Sequence, residues 1–100
     1  MERLRTLEPC KAYRAWWNKT GKDQTRTVSV FPLPGEKFPE GVTVYVAPEG
    51  HTGEPPAASD PTKVGKDGDS IGKTVPKDNA VFVHLKEGSR PVKAKIDDGP

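Results

Sequence analysis

Hydrophobic and polar positions alternate with a period of two through three parts of the chain. In "TRTVSVFPL" Val28 and Val30 alternate with Thr27 and Ser29. In "GVTVYVAP" Val42, Val44 and Val46 alternate with Thr43, Tyr45 and Ala47. In "NAVFVHLKEGSRPVKAKID" Val81, Val83 and Leu85 share one face, and Val92, Ala94 and Ile96 share the next. Alternation of β-branched residues bounded by Pro and Gly predicts half-buried strands. The last two runs, joined by Glu87-Gly88-Ser89-Arg90, read as an antiparallel hairpin, with Pro91 tolerated at the start of its strand. Lys93 and Lys95 then lie on a solvated face or at a sheet edge.

One helix is expected, over residues 9–18. Pro9 suits a first helical turn, Glu8 suits the positive end of the helix dipole, and Gly21 can end the helix. On such a helix Cys10, Tyr13 and Trp17 fall on one face, with Trp16 about 100° away. Tyr13 and Trp17 become a lid on an aromatic-poor sheet, and Trp16 becomes the residue to find exposed or in an interface.

The expected fold is therefore mainly β: a small antiparallel barrel or sandwich with one short N-terminal helix and long irregular segments rich in Pro and Gly. The 100 residues make one domain. Its parts are a basic N-terminal segment 1–24, a β core from 26–47 and 80–97, and a long loop or arm over 48–79. That loop holds five prolines and five glycines without any Phe, Tyr or Trp, and only Ile71 to Val75 offers a short strand. A connection so long reads either as a solvated excursion or as an arm that packs on a neighbouring subunit.

Composition sharpens this reading. Pro and Gly together make up 21 of 100 residues, which leaves a thin core and much turn. Cys10 is the only cysteine, so an intrachain disulfide and a cysteine-rich metal site are excluded. Neither a membrane-spanning run nor the apolar core of a secretion signal is present, so a virion or cytoplasmic location is expected. The net charge is +2, but residues 1–30 carry +4 and residues 31–100 carry −2. This is less basic than a dedicated nucleic-acid module.

Candidate chemistry is sparse. "IGKT" at 71–74 lacks the earlier glycine of a phosphate loop, since position 67 is Asp, and Pro76 prevents the helix that must follow. "KDGDS" at 66–70 lacks the full ligand run of a calcium loop and reads as an Asp-Gly turn. Asn18-Lys19-Thr20 has the glycosylation pattern without a secretory context. His51 and His84 are isolated in sequence, and no set of nucleophile, base and orienting group is evident. No catalytic residue, cofactor or metal ligand is expected, and the chain reads as a non-enzyme.

The one stretch with binding character is "KAYRAWWNKTGKD". Tyr13, Arg14, Trp16, Trp17 and Lys19 form a candidate interface there, for a protein or, as the alternative, for nucleic acid. "VTVYVAPEG" followed by "EPPAASDPTKVG", residues 42–65, resembles a segment of some small bacteriophage virion proteins. In those a strand ends in Ala-Pro-x-Gly and a loop of small residues follows. The resemblance implies a structural role as a capsid decoration or tail subunit, partnered by copies of itself or by a capsid or tail protein. It carries over no functional residue. A host-targeting inhibitor that masks a partner's surface is a third reading.

Overall fold

A computed structural model describes residues 2–97. Eight strands form two antiparallel four-stranded sheets that face each other. They are β1 (Glu2–Leu7), β2 (Lys11–Trp17), β3 (Gln24–Phe31), β4 (Val42–Pro48), β5 (Thr62–Lys63), β6 (Asp69–Val75), β7 (Asn79–Leu85) and β8 (Val92–Asp97). The first sheet has the order β1-β8-β3-β6 and the second the order β2-β7-β4-β5. Of the two expected architectures this is the sandwich. Between the sheets lies a core built largely of valine, with Leu7, Leu85 and Ile96. β-Branched side chains lose little χ1 freedom on a pleated surface, which is how so modest an apolar content fills the gap.

The expected helix over 9–18 is absent. The segment is a turn followed by β2, and the only helical element among the described residues is a 3₁₀ turn at Ala57–Ser59. The fixed φ of Pro9 suits the second position of a turn as well as a helix start. Cys10 follows it in the left-handed region at φ 66°, which no α-helix accommodates. Its N–H donates to the Leu85 carbonyl at 2.7 Å, so β2 is led directly onto β7.

A bulge in β2 decides the fate of the tryptophans. Arg14 is opposite Phe82 and Trp16 is opposite Val81, so Ala15 is an extra residue in the strand. With a regular register Tyr13, Ala15 and Trp17 would share one face. The added residue reverses the phase from Trp16 onward. Tyr13, Ala15 and Trp16 pack on the core between the sheets, while Trp17 packs on the outer face of the second sheet. The expectation that Tyr13 and Trp17 share a lid, with Trp16 outside it, is thus inverted.

The expected β7–β8 hairpin does not form either. β7 lies between β2 and β4, whereas β8 lies between β1 and β3 in the other sheet. The connection over 86–91 crosses from sheet to sheet, because two packed sheets stand about 10 Å apart. Lys93 and Lys95 are consequently on an internal strand, where their solvated outer face, not an edge, accommodates them. The stretch 48–79 is also more regular than expected, since β6 pairs along its whole length with β3. The irregular segment ends near residue 68.

Each sheet edge among the described residues carries a feature that discourages pairing with another chain. On β1, Arg3 and Arg5 are opposite the core residues Ile96 and Ala94, so their positions face inward. On β6, Lys73 likewise occupies an inward position, and its ammonium donates to Thr62 Oγ1 at 2.6 Å. β2 is bulged, and β5 is two residues long.

Asn18 ties the end of β2 to the opposite sheet. It is fully buried, and its amide nitrogen donates to the carbonyls of Val75 at 2.7 Å and Lys22 at 2.9 Å. Its Oδ1 accepts from the backbone N–H and hydroxyl of Thr20. The side chain in the glycosylation pattern is therefore fully engaged inside the fold. Asn18→Ala strands the Val75 carbonyl and is expected to cost about 2–3 kcal/mol, measured by urea denaturation.

Candidate functional site

The outer face of the second sheet is where the alternation departs from a simple buried and solvated division. Cross-strand partners share a face, so Lys63, Thr43, His84 and Ala12 form one row across β5, β4, β7 and β2. Tyr45, Phe82 and Arg14 form the next row, and Ala47, Ala80 and Trp17 the one after. These positions are the polar phase of their strands, yet Tyr45 is 0% and Phe82 1% exposed. They are buried because the segment 49–61 folds over them as a flap.

The flap is held by aromatic and ionic contacts. The His51 ring stands edge-on to both Tyr45 and Phe82 at 5.4 Å, and those two rings stack on each other at 5.5 Å. Such pairs contribute about 0.5–1.5 kcal/mol each beyond area burial. At one end Arg14 reaches Glu49 at 3.2 Å. Both side chains are substantially exposed, so this pair orients the flap more than it stabilises it. At the other end the 3₁₀ turn packs against β4.

Four buried polar atoms of this layer have no hydrogen-bond partner: Thr43 Oγ1, Tyr45 OH, His51 Nε2 and Trp17 Nε1. All belong to the outer face or its flap, and among the described residues none belongs to the core between the sheets. Burial pushes the Tyr45 hydroxyl up to about 12. His84, 6% exposed, is held below the ordinary histidine value. Burial is the main cause; the Glu54 carboxylate opposes it and His51 adds to it.

The pH consequence follows from that direction. Below about pH 6.5 the unfolded chain gains a proton at His84 that the folded chain resists, so stability falls as pH drops. The loss levels off once the folded imidazole also protonates. Thermal denaturation between pH 7.5 and pH 5 is expected to show this decline, and His84→Gln to remove part of it.

Beside the flap a cleft of about 1090 Å³ opens between the loop 32–41, the segment 61–67 and the ends of β4 and β7. Thr43, His84 and Lys63 line it, together with Lys86, whose methylenes lie over Gly41. A methyl group on Gly41 would overlap that lysine, and the backbone there has φ 87°.

The five residues expected to form an interface are divided between two surfaces. Arg14 and Lys19 each place their charge 4.9 Å from the Trp17 ring, a cation-bearing aromatic cluster at the end of the flap-covered face. Tyr13 and Trp16 point the other way. The Tyr13 hydroxyl accepts from the Glu8 N–H at 2.8 Å, and Arg26 lies over Trp16 at 5.2 Å. The three rings therefore do not form one stacking platform. Thr43, Tyr45, His51, Lys63 and His84 were not among the expected binding residues. The available signal was Tyr45 and Phe82, two large aromatics in the polar phase of their strands.

Among the described residues no group of three or more His, Cys, Asp or Glu side chains could hold a metal ion. No helix among them is long and apolar enough to cross a membrane. No protein-family model matches the chain, and comparison with curated proteins and with solved structures finds no match.

Proposed function

We propose that this chain is a non-enzymatic interaction protein that assembles through protein–protein contacts, in the manner of a capsid decoration or tail subunit. Its binding surface is the outer side of the second sheet: the 49–61 flap and the Arg14, Trp17 and Lys19 cluster at its end, with the buried aromatic layer reached when the flap is displaced. The observation that carries this reading is the concentration of four unpartnered buried polar atoms in that one layer. Each costs about 1–3 kcal/mol when left unmade, a burden that a purely structural face would shed by carrying apolar residues. Aromatic and arginine side chains are also the types that anchor protein interfaces. The blunted edges argue against assembly by strand addition and direct attention to this face.

Sedimentation velocity across a range of concentrations, and co-sedimentation with particles in cells that make the protein, test the reading. A mass above the 10.9 kDa monomer, or particle association, weakened by Trp17→Ala together with Arg14→Glu, is the expected result. A strict monomer that never enters a particle overturns it. Quenching of tryptophan fluorescence by oligonucleotides that weakens steeply with salt would favour nucleic-acid binding instead.

A further inference from the structure

The segment 49–61 is fastened to the second sheet by few contacts. Its backbone hydrogen bonds close turns on itself: the His51 N–H donates to the Pro48 carbonyl, Ser59 to Pro56 and Asp60 to Ala57. Among the described residues its backbone link to a neighbouring element is at the base, where the Glu49 N–H donates to the Asp78 carbonyl at 3.3 Å. The Ser59 hydroxyl also turns back on the segment and donates to the Pro56 carbonyl. The 3₁₀ turn buries none of its residues. Gly53 has φ 85°, and open space surrounds it and Gly50. Prolines at 55, 56 and 61 have no N–H with which to join a strand.

One side chain supplies the hold that the backbone lacks. The His51 ring stands at 87° to Tyr45 and 81° to Phe82, 5.4 Å from each, and so plugs a seat made by those two stacked rings. The Arg14–Glu49 pair is exposed on both sides and holds weakly. Seating the plug leaves His51 Nε2 and the Tyr45 hydroxyl buried without partners. Lifting it returns water to both atoms, which offsets much of the lost ring contact. Among the described residues none from 49–61 belongs to the core between the sheets, so that core stays packed when the segment lifts. Segments with few apolar anchors and self-contained hydrogen bonds open locally, at less cost than global unfolding.

We propose that 49–61 is an autoinhibitory lid with the His51 ring as its latch on Tyr45 and Phe82. It lifts as a local unit and uncovers the outer face of the second sheet for a partner, a role that rests on the reading of that face as the binding surface. A partner meets only the fraction of chains whose lid is open, so the closed lid weakens apparent affinity by that fraction.

Acetylation of the Tyr45 hydroxyl by N-acetylimidazole, located by peptide mass spectrometry on the full chain, reads the open fraction. The hydroxyl is inaccessible in the closed fold, so it reacts through local opening or through global unfolding. Rates are measured in urea below the unfolding transition, and the global slope is taken from equilibrium denaturation. A Tyr45 rate that changes little with urea is expected, since lifting a short lid exposes little new surface. His51→Ala is expected to raise that rate about tenfold and to lower the concentration needed for assembly by a similar factor. A wild-type rate that climbs with the full slope of global unfolding overturns the lid, even where the variant fails to fold. So does a folded His51→Ala chain that reacts at the wild-type rate or, where wild type assembles, assembles no more readily. The two readings fail separately. A chain whose Tyr45 reacts by local opening but which never assembles retains the lid and loses the assembly role. A chain that assembles while Tyr45 reacts only on global unfolding retains the assembly role and loses the lid.

Discussion

Trp16→Ala is expected to destabilise the protein by about 3–5 kcal/mol, because it removes the largest side chain packed against the core between the sheets. Trp17→Ala, one residue later, is expected to cost about 1–2 kcal/mol, since the ring covers an outer face and leaves behind mainly alanine neighbours and two cations. Urea denaturation of both variants measures the ratio. For a domain of this size the larger loss is a substantial part of the total stability, so the Trp16 variant should show a pronounced drop in its midpoint. Equal losses would mean that the bulge at Ala15 does not set the phase of the strand. The prediction is specific because the two residues are chemically identical and adjacent. Only the extra residue in β2 distinguishes them.

Tyr45→Phe is expected to act with the reverse sign of most core changes, and its effect grows in alkali. The hydroxyl is buried without a partner, so its removal is expected to stabilise the protein at neutral pH by about 1–2 kcal/mol. A second gain appears in alkali. In the unfolded chain the phenol ionises near its ordinary value of 10, whereas in the fold burial delays ionisation to about 12. Between those values the unfolded state releases a proton that the folded state retains, so stability declines as pH rises through 10 and the loss levels off above 12. The two-unit difference corresponds to roughly 2–3 kcal/mol by pH 12. Thermal melts of the wild type and Tyr45→Phe at pH 7 and pH 11 are expected to diverge at the higher pH. A variant that is less stable at pH 7 would show that the hydroxyl has a partner in solution.

The same substitution bears on function. Under the proposed function a partner would reach this hydroxyl only by displacing the 49–61 segment that buries it, so a more stable Tyr45→Phe chain should assemble less well. The stability gain and the assembly loss are measured on the same sample, and together they separate a functional hydroxyl from an incidental one.

Of the predicted architecture, the strands with strong alternation were legible from residue type alone. Val28 and Val30, the valines of β4, and the runs in β7 and β8 define faces because a strand's side-chain period is two wherever it pairs. The absence of a cysteine-rich metal site was equally legible, since a single cysteine allows no other outcome. The candidate site was legible only in part. Arg14, Trp17 and Lys19 stand out as cations beside an aromatic, whereas Tyr45 and Phe82 occupy positions that read as solvated until the His51 ring stands against them.

The segment 9–18 shows why local signals fall short. Pro9, Glu8 and Gly21 are compatible with a helix, but β7 offers β2 a full row of backbone partners, and those non-local hydrogen bonds outweigh a weak local preference. Cys10 at positive φ is a consequence of that pairing and has no signature in its residue type. Sheet membership is hidden in the same way. Residues 81–96 alternate whether the two strands form a hairpin or cross between sheets, and the choice depends on β1, 90 positions away in sequence, pairing with β8.

By itself, then, the sequence determined which residues alternate, that the protein is mainly β, and that Tyr13, Trp16 and Trp17 stand among cations near the N-terminus. Tertiary structure decided which face each residue meets. A one-residue bulge at Ala15 exchanged the two tryptophans, because in a strand a shift of one position exchanges inside for outside. A flap distant from β7 in sequence buried Tyr45 and Phe82, because burial depends on what covers a face and not on the period of the strand beneath. Pairing geometry thus decided where each tryptophan lies: Trp16 packs inward on the core between the sheets, and Trp17 packs on the outer face of the second sheet.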